Sequence, residues 1–526
     1  MKGSSDEMNG RVYIYDTTLR DGSQTEGISF SCEDKLDIYN KMCSFGMDFV
    51  EGGWPGSNPR DDEFFSKAPI RDGTALTAFG STRRYGVKPD EDPNLRALAA
   101  SRAEWCCIFG KTWDFQVTDA LCIGLEDNLR MVEDSVRFLK ESGKRVMFDA
   151  EHFFDGFRSN RHYALKALQA AEKGGAEWLV LCDTNGGSTP EQVTEAVRIV
   201  SESVDAPLGI HCHNDSDLAT ACTLAAVSAG CRLVQGTVNG LGERCGNANL
   251  CTVIPNLSIK MGMDVGRINM RHLTPLSKYI GEVANMTPSA GMAYVGDRAF
   301  THKGGIHVSA LMRNPRTYEH VPPESVGNTR RVLVSDMAGK ASITEKLKQL
   351  GMMDEGDSRD IVDKIKEMES RGYQFEGADA SFELMVRKLR GEFHPRFTVE
   401  EFRVFMDEYG TSEGRSEASV KVRDIHGEME HTAADGNGPV NALDNALRKA
   451  LRRFFPEMDS LRLTDYKVRV IDEKSATMTA VRVLIRTTDG KDNWTTVGVS
   501  TNVIEASMIA LLDSIEYSLD KNSRKE

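Results

Sequence analysis

Two stretches of this chain place chemistry-bearing side chains at spacings that a strand or a tight loop brings together. LGIHCHND, Leu208–Asp215, carries His211 and His213 two positions apart. Alternate residues of a β-strand share a face, so both imidazoles point the same way. Two neutral imidazoles a few ångströms apart are half of a divalent-cation site. An isolated His-x-His is more often a structural pair, but here Asn214, Asp215 and Asp217 follow at once. VYIYDTTLRDGSQ, Val12–Gln24, supplies what the pair lacks: a strand-forming run breaks into Asp16, Thr17, Thr18, Arg20, Asp21 and Gln24. Asp21 is the best oxygen ligand to join the histidines. Mixed His/carboxylate ligation with open positions suits Mg²⁺, Mn²⁺, or Zn²⁺ acting as a Lewis acid. Arg20 would then stand as a fixed positive charge beside the cation, fit to clamp a carboxylate or a developing oxyanion.

Polar groups crowd the ends of other apolar runs as well. Glu151 follows VMFDA, and Asp183-Thr184-Asn185-Gly186-Gly187 follows WLVLC. A glycine-rich segment, Gly236–Leu250, carries Asn239, Glu243, Arg244, Asn247 and Asn249. It lacks the GxxxxGK[ST] spacing of a phosphate loop. It reads instead as a mobile flap carrying an amide ligand, with a simple flexible turn as the plain alternative.

What must position these groups is a rhythm of short strands and longer amphipathic segments. The strand candidates are Val12–Asp16, Phe49–Gly53, Ala75–Phe79, Trp105–Phe109, Val146–Ala150, Trp178–Cys182, Leu208–His213 and Leu233–Thr237. Helical stretches lie between them, several stopped by glycine at Gly143, Gly174 and Gly230. Strands alternating with helices predict parallel βαβ units. An open doubly wound sheet would gather polar residues only near its switch point. Here nearly every strand end is polar, which favours a closed (β/α)8 TIM barrel with its site at the carboxyl ends of the strands.

The second half reads differently. Residues 285–395 are expected as helical linker subdomains between the barrel, 1–284, and a C-terminal α+β domain, 396–526. Within the last, Phe397–Tyr409 reads as helical. Strands are expected at Ala418–Arg423, Glu428–Ala433, Leu461–Val470, Thr477–Thr487 and Asn493–Ser500, with helices at Val440–Phe455 and Val503–Lys521, an internal pseudo-repeat. The charged run Asp354–Gly372 reads as a solvated helix face.

A formal net charge of −14 over 526 residues argues against a general nucleic-acid or anionic-membrane binder. The opening MKGSSDEMNG has no apolar core, so no secretory signal is expected, and no apolar run is long enough to span a membrane. The eleven cysteines form no CxxC pair, which fits reduced thiols in a cytoplasmic protein.

Taken together, DTTLRDGSQ, LCDTNGG, HCHND, NGLGERCGNANL and HKGGIH resemble the metal-dependent acyltransferases of the 2-isopropylmalate/homocitrate synthase (DRE-TIM metallolyase) family, over essentially the whole chain. NGPVNALDNALRKAL and VGVSTNVIEASMIALLDSIEY look like that family's regulatory domain. FGSTRRYGVKPDEDPNL, FGKTWDFQVTDAL and FDAEHFFDGF are most similar to its citramalate-forming branch. The resemblance implies condensation of acetyl-CoA with pyruvate and water to (R)-citramalate and CoA. The alternative is 2-isopropylmalate synthesis from 2-oxoisovalerate.

It further implies that Asp21, His211 and His213 hold Mg²⁺ or Mn²⁺, with Asn247 as a further or outer ligand. Arg20 would steady an alkoxide, Thr184 would hold the keto acid's carboxylate, and Gln24 would join them at the substrate. His307 of HKGGIH matches the catalytic histidine, with His302 as its rival. Glu151 would orient substrate or shape a proton path. The pocket walls are expected among Phe79, Phe109 and Asp149. A homodimer is implied, with feedback by a branched-chain amino acid, most simply isoleucine. A lyase of the 3-hydroxy-3-methylglutaryl-CoA type would leave the C-terminal domain without a role. A catalytically dead barrel carrying a sensor domain is opposed by Arg20, Asp21, His211, His213 and His307 standing in one chain.

Overall fold

The computed structural model describes residues 10–303, 305–332, 347, 352, 358–375, 377–407, 415–471 and 480–523. The opening segment, the start of the charged run at 354–357, Tyr409 and positions 477–479 lie outside the described residues. The chain divides into two compact units, one running to Phe300 with Val321–Thr329, the other comprising Thr301–His320 and everything from Arg330 onward.

The first unit is the expected barrel. Its strands are β1 (Tyr13–Asp16), β2 (Phe49–Gly53), β3 (Ala75–Ser81), β4 (Trp105–Lys111), β5 (Arg145–Glu151), β6 (Trp178–Asp183), β7 (Leu208–Cys212) and β8 (Leu233–Gly236). Each pairs in parallel with the next, and β1 pairs with β8 through Tyr15↔Gln235 and Asp16↔Gly236, which closes the ring. The period of two explains the layering. Val12 and Ile14 face the helices, while Tyr15 turns inward with Phe49, Trp105, Met147, Trp178 and Leu233. Edge-on ring contacts, Tyr13–Trp178 at 5.5 Å and Phe49–Trp105 at 5.2 Å, fill the interior. Open space is left at the carboxyl-end mouth.

The first helix shows how locally the surrounding helices are specified. Cys32–Phe45 begins at a capping box, Ser31 with Asp34, and stops at Gly46, whose φ of 101° suits glycine. At the end of β8, Gly236 serves a different need. A Cβ there would lie 2.5 Å from the carbonyl oxygen of Ala248, because the following loop folds back tightly onto the strand.

The second unit opens with a short parallel pair, β9 (Thr301–His302) and β10 (Arg331–Val332), and helices at Ser358–Ser370 and Asp379–Arg390. It ends in the expected repeat, with a third strand in the first copy where two were expected. β11 (Phe397–Asp407), β12 (Arg415–Asp424) and β13 (Met429–Gly436) form an antiparallel sheet followed by the helix Pro439–Leu451. β14 (Arg462–Val470), β15 (Val481–Thr488) and β16 (Asn493–Ser500) repeat the pattern before Val503–Ser523. Phe397–Tyr409, expected as helical, is therefore corrected to a strand over its described part. The register slips between Val399 and Glu401. That bulge sets the core-facing residues Val399 and Phe402 three apart, the spacing of a helix face.

Gly236→Ala is expected to destabilise the barrel by about 1–3 kcal/mol through overpacking against backbone. Tryptophan fluorescence during denaturant unfolding reads this. A midpoint equal to that of the parent would mean the loop can move aside freely.

Candidate active site at the barrel mouth

Closure of the ring brings the end of β1 beside the ends of β7 and β8. Among the described residues, Asp21, His211 and His213 form the one group of such side chains that could hold a metal ion, with ligand atoms all within 4.8 Å of one another. Asp21 Oδ2 lies 3.5 Å from His211 Nε2 and 4.0 Å from His213 Nε2, and all three side chains are buried. His213 sits just past β7 and is held by an isolated bridge to Asn247. Hydrogen bonds link the glycine-rich loop to the strand ends. Asn214 N–H donates to Gly246 O at 2.9 Å and Ala248 N–H to Cys212 O at 2.9 Å, while Thr237 Oγ1 donates to Leu241 O at 2.6 Å. Gly242 leaves the space that the Asn247 amide fills, since a Cβ there would meet its Nδ2 at 2.1 Å.

The protonation states suit a cation. Burial pushes the Asp21 carboxyl up, but Arg20, the two histidines and the Asn247 amide outweigh it and hold the pKa below the usual value. Burial, reinforced by His213, brings His211 down to about 3, and His213 is lowered by burial as well. One anion and two neutral rings therefore face each other. Asp21 Oδ1, Asn247 Oδ1 and the Nδ1 atoms of both histidines are buried without hydrogen-bond partners. Buried polar atoms rarely stay unpaired. The carboxylate and amide oxygens among them are spare acceptors, and with the two Nε2 atoms facing Asp21 they fit a divalent ion.

Arg20 stands beside this cluster, Nη1 3.6 Å from Asp21 Oδ2. Its Nε donates to Glu51 Oε1 at 2.6 Å, and its guanidinium lies 3.7 Å from the centre of the Phe79 ring. Glu51, fully buried on β2, also accepts from Tyr15 Oη and Thr17 Oγ1 at 2.5 Å each. These bonds leave Arg20 little rotational freedom. Thr184 Oγ1 accepts from the His152 backbone N–H at 2.9 Å, which leaves its own hydroxyl hydrogen to donate elsewhere. Glu151 is paired with Lys111.

Arg20, Asp21, Gln24, Glu151, Thr184, His211 and His213 all line one cleft of about 250 Å³, together with Trp54, Phe79, Phe109 and Asp149. Trp54 packs edge-on against Phe79 at 5.6 Å and Phe109 at 5.8 Å, with its indole N–H donating to Asn94 at 2.8 Å. His307 belongs to the second unit, where it is exposed and stacked on Tyr318 at 4.2 Å. His302 in the same unit faces Glu319 at 3.3 Å, which is also gripped by Arg330 at 2.6 and 2.7 Å. Sequence reasoning passed over Glu51, Trp54 and Gln235. For Glu51 and Gln235 a signal existed: each is a polar side chain inside an otherwise apolar strand, FVEGG and LVQG.

A parallel barrel with a buried Asp/His/His cluster and a clamped arginine at its mouth defines a class of metal-assisted enzyme acting on small anionic substrates. The sequence matches the HMGL-like family over residues 11–280, the homocitrate synthase post-HMGL domain over 294–373 and the LeuA allosteric (dimerisation) domain over 376–519. The chain belongs to the HMGL-like family. It is 51% identical over 526 residues to the (R)-citramalate synthase of Aquifex aeolicus, covering 98% of this chain and 99% of that one. The (R)-citramalate synthase of Geobacter sulfurreducens is 51% identical over 522 residues, with the same coverage. A probable 2-isopropylmalate synthase of Methanopyrus kandleri is 32% identical over 515 residues, covering 97% of this chain and 98% of that one.

Burial, with Glu51 adding to it, pushes the Asp149 carboxyl up to about 7, against roughly 3.9 in an unfolded chain. Between those values the folded state keeps a proton that the unfolded state has released. The contribution of Asp149 is therefore present at low pH and fades as pH rises through that window. Asp149→Asn, measured in EDTA, is expected to gain stability over the parent as pH rises from about 4 to about 7. A difference in unfolding free energy that stays constant with pH would show that Asp149 does not ionise in a buried setting.

Proposed function

We infer that this chain is an (R)-citramalate synthase, condensing acetyl-CoA with pyruvate and water to give (R)-citramalate and free CoA. The observation that carries this reading is the clamped Arg20 beside the buried Asp21/His211/His213 cluster, in a chain about half identical along its full length to two (R)-citramalate synthases. Asp21, His211 and His213, with Asn247 within reach, would hold Mg²⁺ or Mn²⁺. When bound, such an ion supplies Lewis-acid polarisation of the keto acid's carbonyl.

The chain's own residues do the rest. Arg20 faces the oxygen that gains charge as the new carbon–carbon bond forms, and Glu51 keeps it there without reorganisation. Thr184 directs its free hydroxyl hydrogen to the keto acid's carboxylate, and Gln24 contacts the substrate at the rim. A base removes a proton from the acetyl methyl group, and the resulting carbon nucleophile attacks the pyruvate carbonyl. We assign that step to His307, because His302 is committed to Glu319. Glu151, held by Lys111, orients the substrate. Water then cleaves the thioester, which makes the sequence favourable overall.

Trp54, Phe79 and Phe109 give the cleft a rigid aromatic side suited to a methyl group. We add Trp54 to the expected walls; Asp149 also lines the cleft and accepts from Gln235 Nε2 at 3.0 Å. We further assign residues 1–284 to catalysis, 285–395 to a linker and 396–526 to dimerisation and feedback. A branched-chain amino acid, most simply isoleucine, is assigned as the effector of that last segment. All eleven cysteines are free and no described helix is long and apolar enough to cross a membrane, which supports a cytoplasmic setting.

CoA release with Mn²⁺ present is expected to favour pyruvate over 2-oxoisovalerate in kcat/KM and to stop with EDTA. Preference for 2-oxoisovalerate would move the protein to 2-isopropylmalate synthesis, and no release with either would sink the reading. Phe109→Ala should shift the ratio toward 2-oxoisovalerate by about tenfold or more, since one methylene is worth roughly 1–3 kcal/mol in such a pocket. An unchanged ratio would remove Phe109 from the wall.

A further inference from the structure

A neutral imidazole carries one N–H, and only its other nitrogen can donate a lone pair to a cation. In both His211 and His213 the nitrogen turned to Asp21 is Nε2. The hydrogen must then sit on Nδ1, and a buried N–H needs an acceptor. For His211 one stands ready. Gln235 on β8 is its register partner on the neighbouring strand, fully buried and pointing into the same interior. His211 Nδ1 and Gln235 Oε1 are both buried atoms without a well-formed hydrogen bond. The two side chains are close enough that Gln235 already favours the protonated ring.

The far end of Gln235 fixes which way its amide points. Its Nε2 donates to Asp149 Oδ1 at 3.0 Å and lies 3.8 Å from Cys107 Sγ. An amide has donors at one end and an acceptor at the other. With its NH₂ bound to a carboxyl group on β5, its oxygen is the end left for His211. The flipped amide would set NH₂ against the Nδ1 hydrogen of His211.

We propose that Asp149, Gln235 and His211 form a tautomer-setting chain across the barrel, in which Gln235 Oε1 accepts the Nδ1 hydrogen of His211 and so keeps its Nε2 lone pair aimed at the cation site. Gln235 is a positioning residue: it touches neither substrate nor cation and acts through the ring it orients. The proposal rests on the reading of Asp21, His211 and His213 as a cation site. It separates His211, whose tautomer is fixed by an amide from the neighbouring strand, from His213, which the loop bridge to Asn247 holds by its backbone. Partners of this kind outside the ligand set commonly govern metal affinity by 10–100-fold.

The first test reads the parent chain directly. In the full-length, metal-stripped chain labelled with ¹⁵N-histidine, His211 is assigned by the signal lost in His211→Asn. It is expected to carry its hydrogen on Nδ1 at neutral pH; a hydrogen on Nε2 overturns the proposal. The second test measures Mn²⁺ affinity from the paramagnetic resonance of free Mn²⁺. Gln235→Leu is expected to bind about 10–100-fold more weakly than the parent. Gln235→Glu, which keeps an acceptor oxygen, should recover most of that loss. Equal affinity in the parent and a folded Gln235→Leu overturns the proposal. If Gln235→Leu does not fold, the ¹⁵N spectrum of the parent decides. Failure of the parent itself to bind Mn²⁺ would overturn the cation site, and is told apart because the tautomer is read without metal.

Discussion

The pairing of β1 with β8 is the constraint on which the rest depends. Asp21 and His211 are far apart in sequence, and an open sheet would leave them on strands that need not meet. Ring closure puts the two ends a single strand apart. The interior below is filled with aromatic side chains, so the mouth is where buried polar groups can gather and still reach a ligand. The carboxyl-end placement of the site follows from this geometry and the shared strand direction.

Burying Arg20, Glu51 and Asp21 together is costly unless each charge is satisfied. Glu51 solves this by accepting from Tyr15, Thr17 and Arg20 at once. Arg20 then balances two carboxylates, and the face of the Phe79 ring covers its guanidinium. The histidines escape the cost by staying neutral. Asp149 escapes it by holding its proton more tightly than a solvated carboxyl does. A cluster so arranged is stable as built, yet it keeps acceptor atoms unpaired where a cation would sit.

The second unit uses a simpler device twice. A three-stranded antiparallel sheet is covered on one face by the helix that follows it. In the first copy, Ala442, Leu443, Ala446, Leu447, Ala450 and Leu451 recur at helical spacing to form the covering face. The segment carrying His302 and His307 also belongs here, and there the two histidines part in role. One is drawn into an ion-paired cluster with Glu319 and Arg330, the other is exposed on an aromatic ring.

Much of this was readable from the sequence, because much of it is local. Strand and helix periodicity, glycine stops and polar strand ends were enough for the barrel, and two histidines on alternate positions must share a face. What the sequence could not carry was anything decided between elements. The bulge after Val399 disguised a strand as a helix, because register is set by the partner strand. Glu51 and Gln235 gain a role only through their partners on neighbouring elements: Tyr15, Thr17 and Arg20 for the first, Asp149 for the second. Trp54 became a wall only through Phe79 and Phe109. Spacing along the chain determines which side chains share a face; which faces meet, and therefore which charges are paired and which atoms are left free, is settled only by packing.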